Sequence, residues 1–196
     1  MRLRLKERVY SVLVVSASEG LNQALPEMFP PPSFSPIHVV SDVSAAKRAL
    51  SERTFDFVVV NSPLFDDSGI RFAIDATSSS GTVVLFLARA EQYCDAYDKL
   101  VAHGVFLMQQ PIPKTLFQTA SGWLISAREQ IRKTEKKTLS IEEKMNEIRL
   151  VNRAKWLLIS ELKMTEPDAH RLIEKQAMDR CIAKRQVAEE IIRTYG

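Results

Sequence analysis

Ser11-Val12-Leu13-Val14-Val15, Phe57-Val58-Val59-Val60, Val83-Val84-Leu85-Phe86-Leu87 and Val105-Phe106-Leu107-Met108 are four nearly continuous apolar runs, with His38-Val39-Val40 as a weaker fifth. Short runs that are apolar at successive positions, not at every second one, predict parallel strands buried on both faces. The more polar stretches between them fit crossover helices at residues 20–29, 44–52, 69–76, 92–102 and from 115 onward. Five strands alternating with five helices define an open doubly wound α/β domain. Pro30-Pro31-Pro32-Ser33-Phe34-Ser35-Pro36 is expected to be a rigid loop before the second strand, because proline supplies no ladder donor.

From Phe117 the period changes. Phe117, Ala120, Leu124, Ala127, Ile131, Thr134, Thr138, Ile141, Met145 and Ile148 recur at alternating spacings of three and four, a heptad seam that outruns a small sheet. The seam predicts a long helix and parallel self-association through residues 117–148, with Thr134 and Thr138 weakening its middle. Two shorter helices follow. Thr165-Glu166-Pro167-Asp168 offers a threonine N-cap, a proline in the first turn and an acid at the capping-box position. The helix it opens places Ala169, Leu172, Ile173 and Ala177 on one side; the last helix turns Ile182, Val187, Ala188, Ile191 and Ile192 inward.

The chain has 196 residues, 45% hydrophobic and 26% charged, which excludes wholesale disorder and fibrous repeats. Its net charge of +3 is uneven: residues 1–127 hold 11 basic and 12 acidic residues, and residues 128–196 hold 16 and 12. The positive charge therefore belongs to the C-terminal third. Cys94 and Cys181 lack partners at metal-ligand spacing, so neither a disulfide framework nor a metal site is expected. The longest apolar run, Val83 to Ala88, has six residues, and the basic N-terminus Met1 to Arg8 leads only into Val12 to Val15. Neither a membrane span nor a signal peptide is expected, which implies a cytoplasmic protein.

Catalytic patterns are missing. The six glycines form no phosphate-binding loop, and His38, His103 and His170 are isolated, so no cofactor and no enzymatic activity are expected. Asp66-Asp67 follows a strand, where ligands of open sheets bind, but reads first as a solvated turn before a helix.

The order of elements over residues 8–127 resembles a response-regulator receiver domain, a flavodoxin-like (CheY-like) fold of two-component signalling. Receivers carry acidic residues after the first strand; here the sequence is Val15-Ser16-Ala17-Ser18. Their phosphoacceptor aspartate ends the third strand, followed by Pro and later Gly; here Asn61-Ser62-Pro63 leads to Gly69. Leu87 stands at the usual Thr or Ser, and Gln110-Pro111 at the usual Lys-Pro, where the resemblance implies a cis bond. An amide is a far weaker nucleophile than a carboxylate, and without acids no magnesium is held for phosphoryl transfer. Asn61 therefore marks a degenerate phosphoacceptor position, and the domain is expected to be a pseudo-receiver.

The stretch Arg149 to Leu158, with Arg153-Ala154-Lys155-Trp156, then Thr165 to Arg180, with Gln176-Ala177-Met178, and finally Val187-Ala188, resembles an ANTAR domain over residues 140–196. The family is a three-helix module that binds RNA in bacterial transcription antitermination. The resemblance implies that a protein dimer binds paired stem-loops in a nascent leader transcript and prevents terminator formation. Trp156 departs from the small residue usual there; an indole either fills a gap or offers a stacking surface. Hairpin loops present unstacked bases and dense phosphate charge. Candidate RNA contacts are Arg153 and Lys155, then Arg171 and Lys175, then Arg180, Lys184 and Arg185. Lys155 and Arg185 lead, Arg171, Lys175 and Arg180 are expected as a stripe, and Met178 is expected in the core. Ala154, Ala169, Ala177 and Ala188 suit close helix packing.

The expected organisation is a receiver-like α/β domain at 1–115, a coiled-coil helix at 116–148 and an all-α ANTAR domain at 140–196. Its expected role is that of an RNA-binding antiterminator acting as a homodimer, with a protein partner at the receiver. Competing readings are a protein-interaction adaptor and a DNA-binding response regulator. The second is disfavoured by the lack of glycine between Met178 and Ala183.

Overall fold

The computed structural model describes residues 8–65, 67–78 and 81–196. The N-terminal stretch before Arg8, and Asp66, lie outside the described residues. The chain divides into two compact units, the first ending at Lys133 and the second spanning Thr134–Gly196.

The first unit is built on β1 (Tyr10–Val15), β2 (Phe34–Val40), β3 (Phe57–Asn61), β4 (Val83–Ala88) and β5 (Phe106–Gln109). They form one sheet of order β2-β1-β3-β4-β5 with every neighbouring pair parallel. Helices α1 (Glu19–Met28), α2 (Val43–Glu52), α3 (Ile70–Thr77) and α4 (Tyr93–Leu100) cross between strands, and α5 (Lys114–Leu162) begins after β5. Period-two alternation splits the strand side chains between two cores. Leu13, Val15, Val58, Val60, Val84 and Phe86 meet Ala46, Ala49, Phe72, Ala73, Ala96 and Leu100 on one face. Val12, Val14, Val59, Leu85 and Leu87 meet Leu25, Phe29, Phe117 and Leu124 on the other. Each buried Val or Leu contributes about 1.5–3 kcal/mol on leaving water.

The expected loop at Pro30 to Pro36 is only partly a loop, for β2 starts at Phe34 and runs through Pro36. The Phe34 ring packs edge-on to Phe29 at 5.1 Å and tilted against Phe57 at 6.1 Å, which draws the strand in. Pro36 is accommodated because β2 is an edge strand and its register slips between Tyr10↔Phe34 and Val12↔Ile37. Gly69, at φ +79°, caps α3; a Cβ there would stand 2.7 Å from Val60.

The long seam is divided in use. Phe117, Ala120 and Leu124 are buried, and Ala127 and Ile131 pack beside them against the first unit's own sheet. Asp56, just before β3, accepts from Arg128 Nε at 2.9 Å and Arg132 Nη2 at 2.8 Å, and its other oxygen accepts from the Ser11 amide at 3.0 Å. Glu129 accepts from the Tyr10 hydroxyl and pairs with Arg132 and Arg8. Burial pushes the Asp56 carboxyl up, but the Ser11 amide and the two guanidiniums outweigh it and hold the group below its ordinary range. Residues 117–131, expected in an intermolecular seam, are thus occupied within the chain; Ile141, Met145 and Ile148 are exposed.

Candidate functional site

In the second unit, the C-terminal part of α5 packs with α6 (Glu166–Asp179) and α7 (Lys184–Tyr195) around Ala154, Leu158, Ala169, Ile173, Ala177, Val187, Ala188 and Ile191. The four alanines are all buried, as close helix contact requires. Thr165 caps α6 by accepting from the Asp168 amide, and its hydroxyl donates to the Asp168 carboxylate at 2.6 Å. The other end of α6 closes with the Ile182 amide donating to the Ala177 carbonyl at 3.0 Å and Cys181 left-handed at φ +52°. That is a Schellman turn without its usual glycine. A tight α6–α7 connection therefore exists, and glycine's absence does not by itself separate the RNA and DNA readings.

The seven candidate cations fall into two groups. Lys155, only 18% exposed, donates to Glu166 at 2.8 Å and so ties α5 to the start of α6. Arg180 binds both oxygens of Glu190 at 2.5 and 2.8 Å, Lys184 pairs with Glu174, and Arg185 pairs with Glu189 at 2.8 Å. The hydrogen bonds from Lys155, Lys184 and Arg180 hold Glu166, Glu174 and Glu190 below the ordinary carboxylate range. Arg153, Arg171 and Lys175 are exposed and make no ion pair among the described residues. Arg149, one turn before Arg153, joins them; the i, i+4 spacing of the two arginines was the available signal.

Two expectations are corrected on α6. Met178 is not core: it is 77% exposed, because it shares the face of Arg171 and Lys175 opposite Ile173. Arg180 is not part of that stripe, since the helix ends before it and its guanidinium turns to Glu190. Trp156 is 71% exposed, which removes the gap-filling alternative.

The first unit has its own cavity of about 390 Å³ at the carboxyl end of the sheet, beside the β1/β3 switch point. Asn61 lies buried on its wall, donating to Ser16 Oγ at 3.1 Å and accepting from Gln110 Nε2 at 2.8 Å. Leu21, Met28, Leu87 and Ile112 line the rest, and the lining carboxylate Glu27 is paired with Lys114. The Gln110–Pro111 bond is cis, as the resemblance implied. Asp67 serves the turn: it accepts from the Gly69 amide at 2.7 Å. Among the described residues no group of His, Cys, Asp and Glu could hold a metal ion, and no helix is long and apolar enough to cross a membrane.

A parallel 2-1-3-4-5 sheet with crossover helices defines a receiver-like α/β fold, and a helical region follows it in the chain. Within the helical region, residues 140–192 match the ANTAR domain family. The Transcriptional regulatory protein PdtaR of Mycobacterium tuberculosis, in strains CDC 1551 / Oshkosh and ATCC 25618 / H37Rv, is 38% identical over 72 residues, 37% of this chain. The matched segment spans about a third, 35%, of the length of those relatives. The first unit is similar in fold to the signal receiver domain of an HD domain-containing protein from Pseudomonas fluorescens Pf-5, with TM-score 0.57, 18% identity and coverage of 64% of this chain and 93% of that one. It is likewise similar to NtrX from Brucella abortus, with TM-score 0.57, 11% identity and coverage of 65% and 29%.

Proposed function

We propose that this protein is a bacterial transcription antiterminator that binds paired stem-loops in nascent leader RNA and so keeps a terminator hairpin from forming. The observation that carries the reading is the coincidence of the ANTAR match with a helical unit that presents Arg153, Arg171 and Lys175 to solvent without an ion pair among the described residues. These three supply the first phosphate contacts, while Lys155, Arg180, Lys184 and Arg185 reach RNA by exchanging a carboxylate for a phosphate. Two copies join through the exposed part of the seam around Ile141, Met145 and Ile148, so that two linked hairpins gain effective concentration. The protein works in the cytoplasm, without catalysis.

The first unit acts as a pseudo-receiver. An amide at Asn61, bonded to Ser16 and Gln110, offers neither the nucleophile nor the charge that a phosphorylated receiver needs. Acetyl phosphate with magnesium is expected to leave the intact mass unchanged; a stoichiometric gain of one phosphate overturns this part. For the RNA reading, gel shifts at several salt concentrations compare a two-hairpin RNA, a single hairpin and duplex DNA. The two-hairpin RNA is expected to bind tightest, and equal binding to all three reduces the interaction to nonspecific charge.

A further inference from the structure

Trp156 stands at the centre of an unusual stretch of surface. It projects from the side of α5 opposite Ala154 and Leu158, which are 0% and 1% exposed, so packing asks nothing of its indole. Arg153 lies one turn before it and Arg149 two turns before it, on the same side of the helix. Both are exposed and without an ion pair among the described residues, and no Asp or Glu occurs anywhere from Arg149 to Ser160. Asn152 and Ser160 complete the face. The other exposed tryptophan, Trp123, is set differently: it lines a depression with Phe106, Leu116 and Leu124, an apolar setting. Trp156 has a flat π surface among two cations, an amide and a hydroxyl instead, which suits a ligand that is itself flat and polyanionic.

Resting on the RNA-binding reading above, we propose that Trp156 is a stacking platform for one unpaired nucleobase of a hairpin loop, with Arg149 and Arg153 gripping the phosphates on either side of that nucleotide. A base pulled from a loop has both faces open to water, and stacking one on an indole recovers apolar contact that no neighbouring base supplies. The arginines hold the strand in place, so the indole adds affinity without adding charge. The platform reads that a base is unpaired more than which base it is, because every base has a π face.

Full-length protein with Trp123→Phe, which leaves Trp156 as the sole indole, is titrated with a stem-loop RNA carrying an all-adenosine loop and with the same RNA made abasic in the loop. The adenosine loop is expected to quench the indole emission and the abasic loop to leave it unchanged. Trp156→Ala is expected to bind the adenosine loop about tenfold more weakly, the scale of one lost base stack. Its salt dependence should match wild type, and Trp156→Phe should keep most of the affinity. Wild-type affinity for Trp156→Ala overturns the inference, as does an equal loss on both RNAs, which marks a merely structural role. A changed association state in light scattering with RNA affinity intact also overturns it, by assigning the indole to self-association. If wild type binds none of these RNAs at any salt, the RNA reading itself falls; if Arg153→Ala weakens binding and Trp156→Ala does not, only the stacking platform falls.

Discussion

Cys181 shows how much a single residue can conceal. It holds φ +52° so that α6 can stop and Ile182 can turn into the core of the second unit. A side chain in the left-handed region costs about 1–2 kcal/mol that glycine avoids. Cys181→Gly is therefore expected to raise the unfolding free energy of the second unit by about 1 kcal/mol, read as a higher urea midpoint with an unchanged slope. A lower midpoint would mean that the exposed thiol makes contacts worth more than the backbone strain. The sequence gives no sign of this conformation, since turns are ordinarily read from Gly and Asn. Met178 was illegible for a related reason. An apolar residue in a helical pattern is assigned to the core by periodicity, yet the α6 core is complete with Ala169, Ile173 and Ala177, and Met178 falls on the opposite face.

Among the elements, α5 carries two different faces in succession, and they respond to different perturbations. Its first part is latched by Asp56, whose carboxyl sits below its ordinary value of 3.8. A group with a depressed folded pKa stabilises fully above the unfolded value and loses that contribution as pH falls through the folded one. Thermal stability of the first unit should thus be flat in this respect from pH 7 to 5 and decline below about pH 4. Asp56→Asn should cost about 2 kcal/mol at pH 7 and show a weaker acid decline. An acid profile identical to wild type would remove Asp56 from the latch. The second part of α5 is tested by Ile141→Asp with Met145→Asp. Light scattering at micromolar concentration should show wild type as a dimer and the variant as a monomer; two monomers would end the seam proposal. The heptad was visible in the sequence, but its division was not. That depends on Arg128 and Arg132 meeting an aspartate 72 and 76 positions away, and long-range pairing leaves no local pattern. The central strands β1, β3 and β4 were legible because burial on both faces writes itself as continuous Val and Leu, whereas β5, expected to be equally buried, is an edge strand with Phe106 exposed. Phe34 to Pro36 was not, because aromatic packing from three other positions overrode the local argument from proline.

At the scale of the whole molecule, a net charge of +3 conceals a cationic C-terminal third, and many of its positive charges are already spent on carboxylates. This separates two kinds of cation that composition alone treats as equal. A cation that releases counterions when it meets a phosphate changes the salt dependence of binding. One that only exchanges a protein carboxylate for a phosphate changes affinity with a smaller effect on that dependence. The logarithm of affinity against the logarithm of salt should therefore lose about 0.7–0.9 of slope for each phosphate contact removed, which is one contact per substitution on a single-hairpin RNA and two on a two-hairpin RNA bound by both modules. Arg153→Ala, Arg171→Ala and Lys175→Ala are each expected to show that loss with the fold intact by circular dichroism. Lys184→Ala and Arg185→Ala are expected to leave the slope nearly unchanged, and Lys155→Ala to loosen the α5–α6 junction and lower the melting temperature. If the slopes reverse, with Lys155→Ala and Arg185→Ala flattening the salt dependence and Arg153→Ala leaving it alone, then the paired cations make the counterion-releasing contacts and the assignment of that role to Arg153, Arg171 and Lys175 falls. Combining Arg153→Ala with the seam variant separates contact from avidity. The seam change should abolish the advantage of two hairpins over one while keeping single-hairpin affinity, whereas Arg153→Ala, present in both modules, should weaken single-hairpin binding by one factor and two-hairpin binding by about its square.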